Sequence, residues 1–450
     1  MKLQRTAGAS NKPELVRLAH AWGLLGPCHP ASDHVPPSQS PPRYADLVAL
    51  AEDQIRQACR ELWPEQDCSL LSAIPSSTGI VRKVRIGKQQ YAATCDLLAA
   101  PLAELLLGIH GSKDCIRAQM DAYLPSPHAQ ACIQERQQHL LAEGGLPVPT
   151  AAVAAGVLFT SWTSSPTASD LLKSDPARAM AVMTHALSLL PSVLTDKLMH
   201  NARDMVMACP ITQGLRRLQP STPWAAALAD SAASRLHPRL AQLIATSAQD
   251  LLPKVVRLSH QRRPVYGALQ PDHIVCPDPG SAPMLLSPAL HYGAPGGDVA
   301  RLISRTTLEV LAGPRLLAVP VTHCLRKLVS ASIMRVTPTQ RGAWLYDLLQ
   351  LWFADTLITV ATSMISLAGM PPSQPHQSIK EHLVRVQALL AALRHALTMR
   401  DPQRAWLSAL HQVDSLTHVL PDPRPRTDTA APSSLSPAQP HLASARREHR

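Results

Sequence analysis

Aromatic side chains are scarce in this chain: 2 Phe, 6 Tyr and 7 Trp make up only 3% of its 450 residues. Single-stranded nucleic acid is commonly held by bases stacked on aromatic rings beside basic residues. The basic residues here are not interleaved with aromatics, which excludes that mode, and no nucleic-acid partner is expected. Acidic charge is also in deficit, with 32 Asp and Glu against 43 Lys and Arg, a formal net charge of +11. Two readings of that excess stay open: an anionic partner, such as a nucleotide or an acidic peptide, or a generally basic surface. Paired cysteine spacing is missing too. The nine cysteines (Cys28, Cys59, Cys68, Cys95, Cys115, Cys132, Cys209, Cys276 and Cys324) are odd in number and contain no C-x-x-C. That pattern points to reduced thiols in a cytoplasmic protein rather than a zinc site or a disulfide frame.

The N-terminal MKLQRTAGASNKPEL has no apolar core of the signal-peptide kind. The most apolar run, Trp344 to Leu367, is interrupted by Asp347, Gln350 and Asp355. It is expected to be a buried helix rather than a membrane span. No membrane partner is expected.

Proline, by contrast, is plentiful, and its clusters divide the chain. Residues 1–42 end in a Pro-rich run and are expected to be an extension, with one short helix from Pro13 to Leu25. Residues 43–163 open with YADLVALAEDQIRQACRELW, where Leu47, Leu50, Ala51, Ile55, Ala58 and Leu62 share one helical face. A hairpin follows in IVRKVRIGKQQYAAT, turning at Gly87-Lys88. A short apolar helix is expected within Leu97 to Gly108, and a longer one from Pro127 to Glu143, stopped by Gly144-Gly145. AAVAAGVLFTSW then reads as one strand-like run. Residues 164–420 are largely helical, with Ser169-Asp170 expected to cap one helix and Pro176 to start another. Residues 421–450, Pro/Ser-rich and basic, carry too little apolar surface to offset the entropy of ordering and are expected to be a disordered tail.

The densest information lies in VYGALQPDHIVCPDPGSAPMLLSPALHYGAPGGDVARL, from Val265 to Leu302. Gly267, Leu269, Pro271, His273, Pro288, Gly293 or Gly297, Asp298 and Ala300 fall on the frame H-G-D-L-x-P-x-N/H, hairpin, I-D-P/W, G-x-x-x-D-(L/V)-A. That frame resembles the catalytic loop, metal loop and following helix of the aminoglycoside-phosphotransferase-like kinases. The resemblance extends from about Leu71 to Pro371, with this block its only specific part. It implies a two-lobed α+β kinase-like fold: a small β-containing N-lobe and a mostly helical C-lobe, with a hinge at Thr160 to Thr163. It further resembles bacterial phosphotransferases encoded with enzymes that modify ribosomally made peptides, including lanthipeptides.

The chain departs from this frame at its charges. Ala268 stands where the family has its catalytic Asp, Tyr266 where it has His, Ser287 where it has the Mg²⁺-binding Asp, and Thr94 where a strand lysine grips the phosphates. Lys83, Lys88 and Arg82 are the cations near enough in sequence to replace that lysine. Glu135 matches the helix glutamate that would pair with it, and Asp298 matches an aspartate that braces the catalytic loop. Asp347 and Asp355, eight residues apart, are expected to be solvated or bracing carboxylates. Asp278, in Pro-Asp-Pro-Gly, belongs to a turn.

The expectation is therefore a catalytically impaired pseudokinase with no catalytic residues and no bound metal. It would hold a peptide or a partner modifying enzyme in a cleft lined by Glu135, Tyr266, Gln270, His273, His291 and Tyr292. ATP and Mg²⁺ are not expected to bind tightly. Two alternatives stay open. One is an active phosphotransferase on a peptide Ser/Thr or a small-molecule hydroxyl, with Asp272 or another relocated residue at work. The other is thiol-addition chemistry on a dehydrated peptide through Cys276 and His273.

Overall fold

The computed structural model describes residues 40–76, 78–278, 280–312, 321–365, 367, 370 and 374–418. The helix expected from Pro13 to Leu25 and the tail 421–450 lie outside these residues, as does nearly all of the extension 1–42.

The described chain begins with α1 (Tyr44–Leu62) and a sheet built from β1 (Cys68–Ile74), β2 (Ile80–Ile86) and β3 (Gln89–Cys95). Then come α2 (Leu102–Leu106), α3 (Lys113–Tyr123), α4 (Gln130–Glu143), β4 (Ala151–Ala154) and β5 (Val157–Ser161). The five strands form one antiparallel sheet in the order β1-β2-β3-β5-β4. Alternation along β2 and β3 decides its faces. Ile80, Val84 and Ile86, with Ala93 and Cys95, turn to a core shared with Leu47, Leu50 and Ile55 of α1. Val81, Lys83, Ala92 and Thr94 turn the other way, and the register pairs Val81 with Thr94 and Lys83 with Ala92.

The run AAVAAGVLFTSW is two strands rather than one. The chain reverses at Ala155 and Gly156, both at positive φ, and pairs Ala154 with Val157. Two elements have no counterpart in the sequence reading. β1 does not alternate apolar and polar residues, and its register against β2 slips between Leu70 and Ala73. α3 carries only Ile116 and Met120 as buried positions.

A helical region follows: α5 (Ala168–Ser174), α6 (Pro176–Val193), α7 (Asp196–Asn201), α8 (Pro210–Arg217), α9 (Pro223–Asp230), α10 (Ala232–Leu236) and α11 (Pro238–Ser259). The short strands β6 (Arg263–Val265), β7 (Ile274–Val275), β8 (Met284–Leu285) and β9 (His291–Gly293) carry the central block. They pair as β6 with β9 and β7 with β8. The last helices are α12 (Gly297–Ala312), α13 (Val321–Ile333), α14 (Arg341–Met364), α15 (Gln374–Glu381), α16 (Leu383–Ala396) and α17 (Pro402–His418). The fold is α+β, with the sheet confined to the N-terminal part and a second, larger core gathered among the helices.

Local chemistry sets the ends of these elements. Thr167, not Ser169-Asp170, caps α5. Its hydroxyl accepts from the Asp170 N–H at 3.2 Å, and Asp170 Oδ2 accepts from the Thr167 N–H at 3.0 Å. Asp170 is the third helical residue of that reciprocal box. The apolar run expected to be a buried helix is α14, with Trp352, Phe353 and Leu357 deep in the helical core. Among the described residues no helix is long and apolar enough to cross a membrane.

Helix α14 approaches α8 so closely that Gly214 leaves no room for a methyl: a Cβ there would lie 2.7 Å from Ile358 Cδ1 and 2.8 Å from its Cγ2. Ala in place of a helical Gly ordinarily stabilises by about 0.5–1 kcal/mol. Here Gly214→Ala is expected to lower the urea midpoint instead, because overpacking costs about 1–3 kcal/mol. A rise in the midpoint would contradict the packing of these two helices.

Candidate functional site

The loop Tyr266-Gly267-Ala268 leaves β6 and is held almost entirely through its backbone. Asp298, in the first turn of α12, accepts from the Tyr266 N–H at 2.9 Å and from the Gly267 N–H at 2.7 Å, one to each carboxylate oxygen. Arg301, one turn along, donates to the Gly267 carbonyl. The Ala289 N–H donates to the Tyr266 carbonyl at 3.0 Å, tying the loop to the segment after β8. Both Asp298 oxygens are spent on the loop. Burial raises its pKa, against the lowering effect of the two N–H groups, His291 and Arg301.

Gly267 is the one residue that fits this position. It has φ +82, and a Cβ would sit 2.3 Å from the Ala289 carbonyl and 2.6 Å from His291 Nδ1. His273 secures the far side of the loop. Its Nδ1 lies 3.1 Å from the Ala268 carbonyl, which can only accept, so Nδ1 carries the proton and Nε2 accepts from the Gln270 amide at 3.0 Å. Burial lowers the His273 pKa, in keeping with a neutral ring.

The three positions that the sequence resemblance would make charged hold neutral side chains. Ala268 is buried in the loop. Ser287 is exposed, at φ +53 immediately before Pro288. Thr94 lies on the sheet face turned away from α1, between Val81 and Leu158. Of the three replacement cations, Arg82 points to the opposite face and pairs with Glu52 of α1. Lys88 is in the exposed turn. Lys83 alone shares the face of Thr94, with its ammonium 4.4 Å from the centroid of the Trp162 ring. No cluster of three or more His, Cys, Asp or Glu suited to a metal occurs among the described residues.

The other residues named from sequence fall in three groups. Gln270 and His273 are together, half-buried beneath the loop. Tyr266 and His291 are corrections: both are buried, so neither lines an open cleft. The Tyr266 hydroxyl donates to the Leu286 carbonyl at 2.9 Å, and His291 Nδ1 lies 2.9 Å from the Ala289 carbonyl. Tyr292 is half-buried beneath the Arg262 guanidinium, 5.2 Å from its ring centroid. Cys276 is also corrected as a nucleophile. It is buried, its thiol faces the Ile274 carbonyl at 3.7 Å, and burial pushes its pKa up to about 11. Glu135, half-buried on α4, makes no ion pair among the described residues.

Gln137, Glu309 and Cys209 also shape the site and were given no site role from sequence, and Asp355, named there as solvated or bracing, joins them. Gln137, two positions after Glu135, is buried; it donates to the Met205 carbonyl at 2.7 Å and accepts from the Leu290 N–H at 3.2 Å. Asp355 on α14 is buried and takes the Arg305 guanidinium at 3.0 Å, with Arg301 Nε at 3.9 Å. It is therefore a brace rather than a solvated carboxylate. Glu309 on α12 is pushed up to about 8, first by burial and then by the nearby Asp272 charge. Cys209 and His291 line a cavity of about 20 Å³ behind Gly267. Burial opposes ionisation of the Cys209 thiol, but His291 and Thr212 bring it down to about 7.

No family model and no curated protein matches the chain. Among solved structures it is similar to Plasmodium vivax ethanolamine kinase, at 8% identity over 72% of this chain and 82% of that one, TM-score 0.43. It is also similar to the choline kinase LicA from Streptococcus pneumoniae, at 11% identity over 75% and 98%, TM-score 0.40. A third likeness is to a spectinomycin phosphotransferase solved with ADP and its antibiotic, at 8% identity over 79% and 99%, TM-score 0.40. At these identities and TM-scores the likenesses say nothing about substrate or activity.

Asp298→Ala would strand two loop N–H groups, each worth about 1–3 kcal/mol when left unpaired in a buried setting. A loss of about 3 kcal/mol in urea unfolding is expected. Asp298→Asn, which keeps one acceptor oxygen, is expected to lose less. Equal stability of wild type and Asp298→Ala would contradict the brace.

Proposed function

We propose that the chain is a pseudokinase: a phosphotransferase-like protein without ordinary phosphoryl-transfer chemistry, serving as an accessory subunit that holds a peptide or a modifying enzyme during ribosomal peptide modification. The observation that carries this reading is the contrast within one loop system. Asp298, Arg301 and His273 hold the backbone of Tyr266 to Ala268 in a defined shape, while Ala268, Ser287 and Thr94 supply no charge.

Phosphoryl transfer relies on positioned charge: a carboxylate for the attacking hydroxyl, carboxylates for the metal and a lysine for the phosphates. Ala268 cannot accept a proton, and loss of a positioned base costs about 10²- to 10⁴-fold in rate. Mg²⁺ is normally held through one or two carboxylates, and the Ser287 hydroxyl is a neutral substitute. These residues do not fit a magnesium nucleotide, and no reaction step is assigned through one. The net charge of +11 suits an acidic peptide.

A second reading, an active phosphotransferase on a peptide Ser/Thr or a small-molecule hydroxyl, has one observation in its favour. Lys83 lies diagonal to Thr94 on the same sheet face, within about 7–8 Å as diagonal neighbours are. In sequence, Asp272 is the carboxylate that follows the loop most closely, three residues after Leu269.

Thermal unfolding with and without Mg·ATP separates the two. A ligand at about 100 times its Kd stabilises by about 2.7 kcal/mol. The pseudokinase reading expects no measurable shift at millimolar Mg·ATP and no transfer of γ-phosphate to peptide. A clear shift, together with transfer abolished by Lys83→Met or Asp272→Asn, would establish the second reading in its place.

A further inference from the structure

Cys59 sits near the end of α1 and Cys68 opens β1, nine residues on, and their sulfur atoms are 2.7 Å apart. Both are free thiols. That separation is well under one ångström longer than a disulfide bond of about 2.05 Å. The local fold brings them together. The chain leaves α1 at Trp63, whose ring packs against Tyr91 and Phe159 at centroid distances of 5.3 and 5.1 Å. It then turns back so that Cys68 pairs with Ile86 at the end of β2.

The two thiols are not equivalent. Cys59 is 2% exposed and faces the core between α1 and the sheet, whereas Cys68 is half-buried and open to small reagents. Burial, and then the neighbouring Cys68 sulfur, hold the Cys59 thiol well above the usual range. An outside reagent therefore meets Cys68 first, and Cys59 is placed to complete whatever forms there.

We propose that Cys59 and Cys68 are a modification site: a dithiol that a low-molecular-weight disulfide of the glutathione type converts to an intramolecular disulfide, with Cys68 as the entry thiol and Cys59 as the resolving one. In the first step the Cys68 thiolate attacks one sulfur of the reagent. A Cys68–glutathione bond forms, the reagent's S–S bond breaks, and one glutathione thiolate leaves. In the second, Cys59 loses its proton to solvent and attacks the Cys68 sulfur, expelling the second glutathione thiolate. The two cysteines are oxidised by two electrons and the reagent is reduced by two. The bond fastens the end of α1 to β1, an edge strand of the sheet. It therefore links two elements that otherwise meet only through packing and the chain between them.

The test uses the full chain, equilibrated at pH 7.5 in buffers of increasing oxidised-to-reduced glutathione ratio, then alkylated and mapped by peptide mass spectrometry without reduction. A peptide pair joined through Cys59 and Cys68, two hydrogens lighter than its reduced parts, is expected to accumulate. It should reach half-conversion at a ratio at least tenfold below the one that glutathionylates the exposed Cys115. In Cys59→Ser the reaction is expected to stop at Cys68 carrying one glutathione. In Cys68→Ser, Cys59 is expected to react at least tenfold more slowly than Cys68 does in wild type. The wild-type map alone overturns the proposal if Cys59 and Cys68 both remain alkylatable when Cys115 is fully glutathionylated, or if either forms its disulfide with another cysteine. Equal reactivity of Cys59 in Cys68→Ser would overturn the assignment of entry and resolving roles.

Discussion

Two hydrogen bonds from adjacent backbone N–H groups into one carboxylate set the geometry on which the candidate site depends. Tyr266 and Gly267 offer adjacent N–H groups, and the chain then turns at Gly267, which adopts φ +82. Asp298 meets both because α12 starts at Gly297, directly after the β9 strand that pairs with β6. Once that contact exists, the remaining ties follow: Arg301 lies one helical turn on, within reach of the Gly267 carbonyl, and Ala289 closes on Tyr266 from the segment between β8 and β9. A carboxylate buried in this way is not free of cost, as burial pushes its pKa upward. Two charge-assisted hydrogen bonds and a nearby guanidinium offset that cost. This shape-holding function does not need a catalytic group at Ala268.

The helical core holds the brace in turn. Arg301 and Arg305 of α12 converge on the buried Asp355 of α14. Removing one partner of such an ion pair leaves an uncompensated charge and is strongly destabilising. Asp298, Arg301, Arg305 and Asp355 are thus committed to holding helices and backbone together. Asp272 and Glu309 lie near them, and Lys83, the only cation of the three sequence candidates on the Thr94 face, rests on Trp162.

Much of the fold was legible in sequence wherever a period or a spacing carried it. The 3.6-residue pattern of α1, the alternation about Gly87-Lys88 and the long apolar run of α14 each became the element they implied. The loop frame was legible through the spacing of its glycines, prolines and Asp298. β1 was not, because it lacks alternation, and the bend at Ala155-Gly156 was hidden in a continuous apolar run. The site residues that were missed depend on contacts distant in sequence. Gln137 reaches Leu290 across 153 positions, and Arg305 reaches Asp355 across 50. No local pattern reports such a contact. Tyr266 and His291 were misjudged for the same reason: their types suggest ligand contact, and only the packing of the helices over them shows that they are buried.

Under the proposed pseudokinase reading, the loops keep a nucleotide-enzyme shape and lack only its charges. Titration calorimetry with Mg·ATP on wild type and on the combined variant Thr94→Lys, Ala268→Asp, Ser287→Asp tests that claim most directly. The account predicts no detectable binding to wild type and binding at least tenfold tighter to the variant, with its unfolding midpoint close to that of wild type. Binding to wild type as tight as to the variant, or a folded variant that gains no affinity, would contradict it.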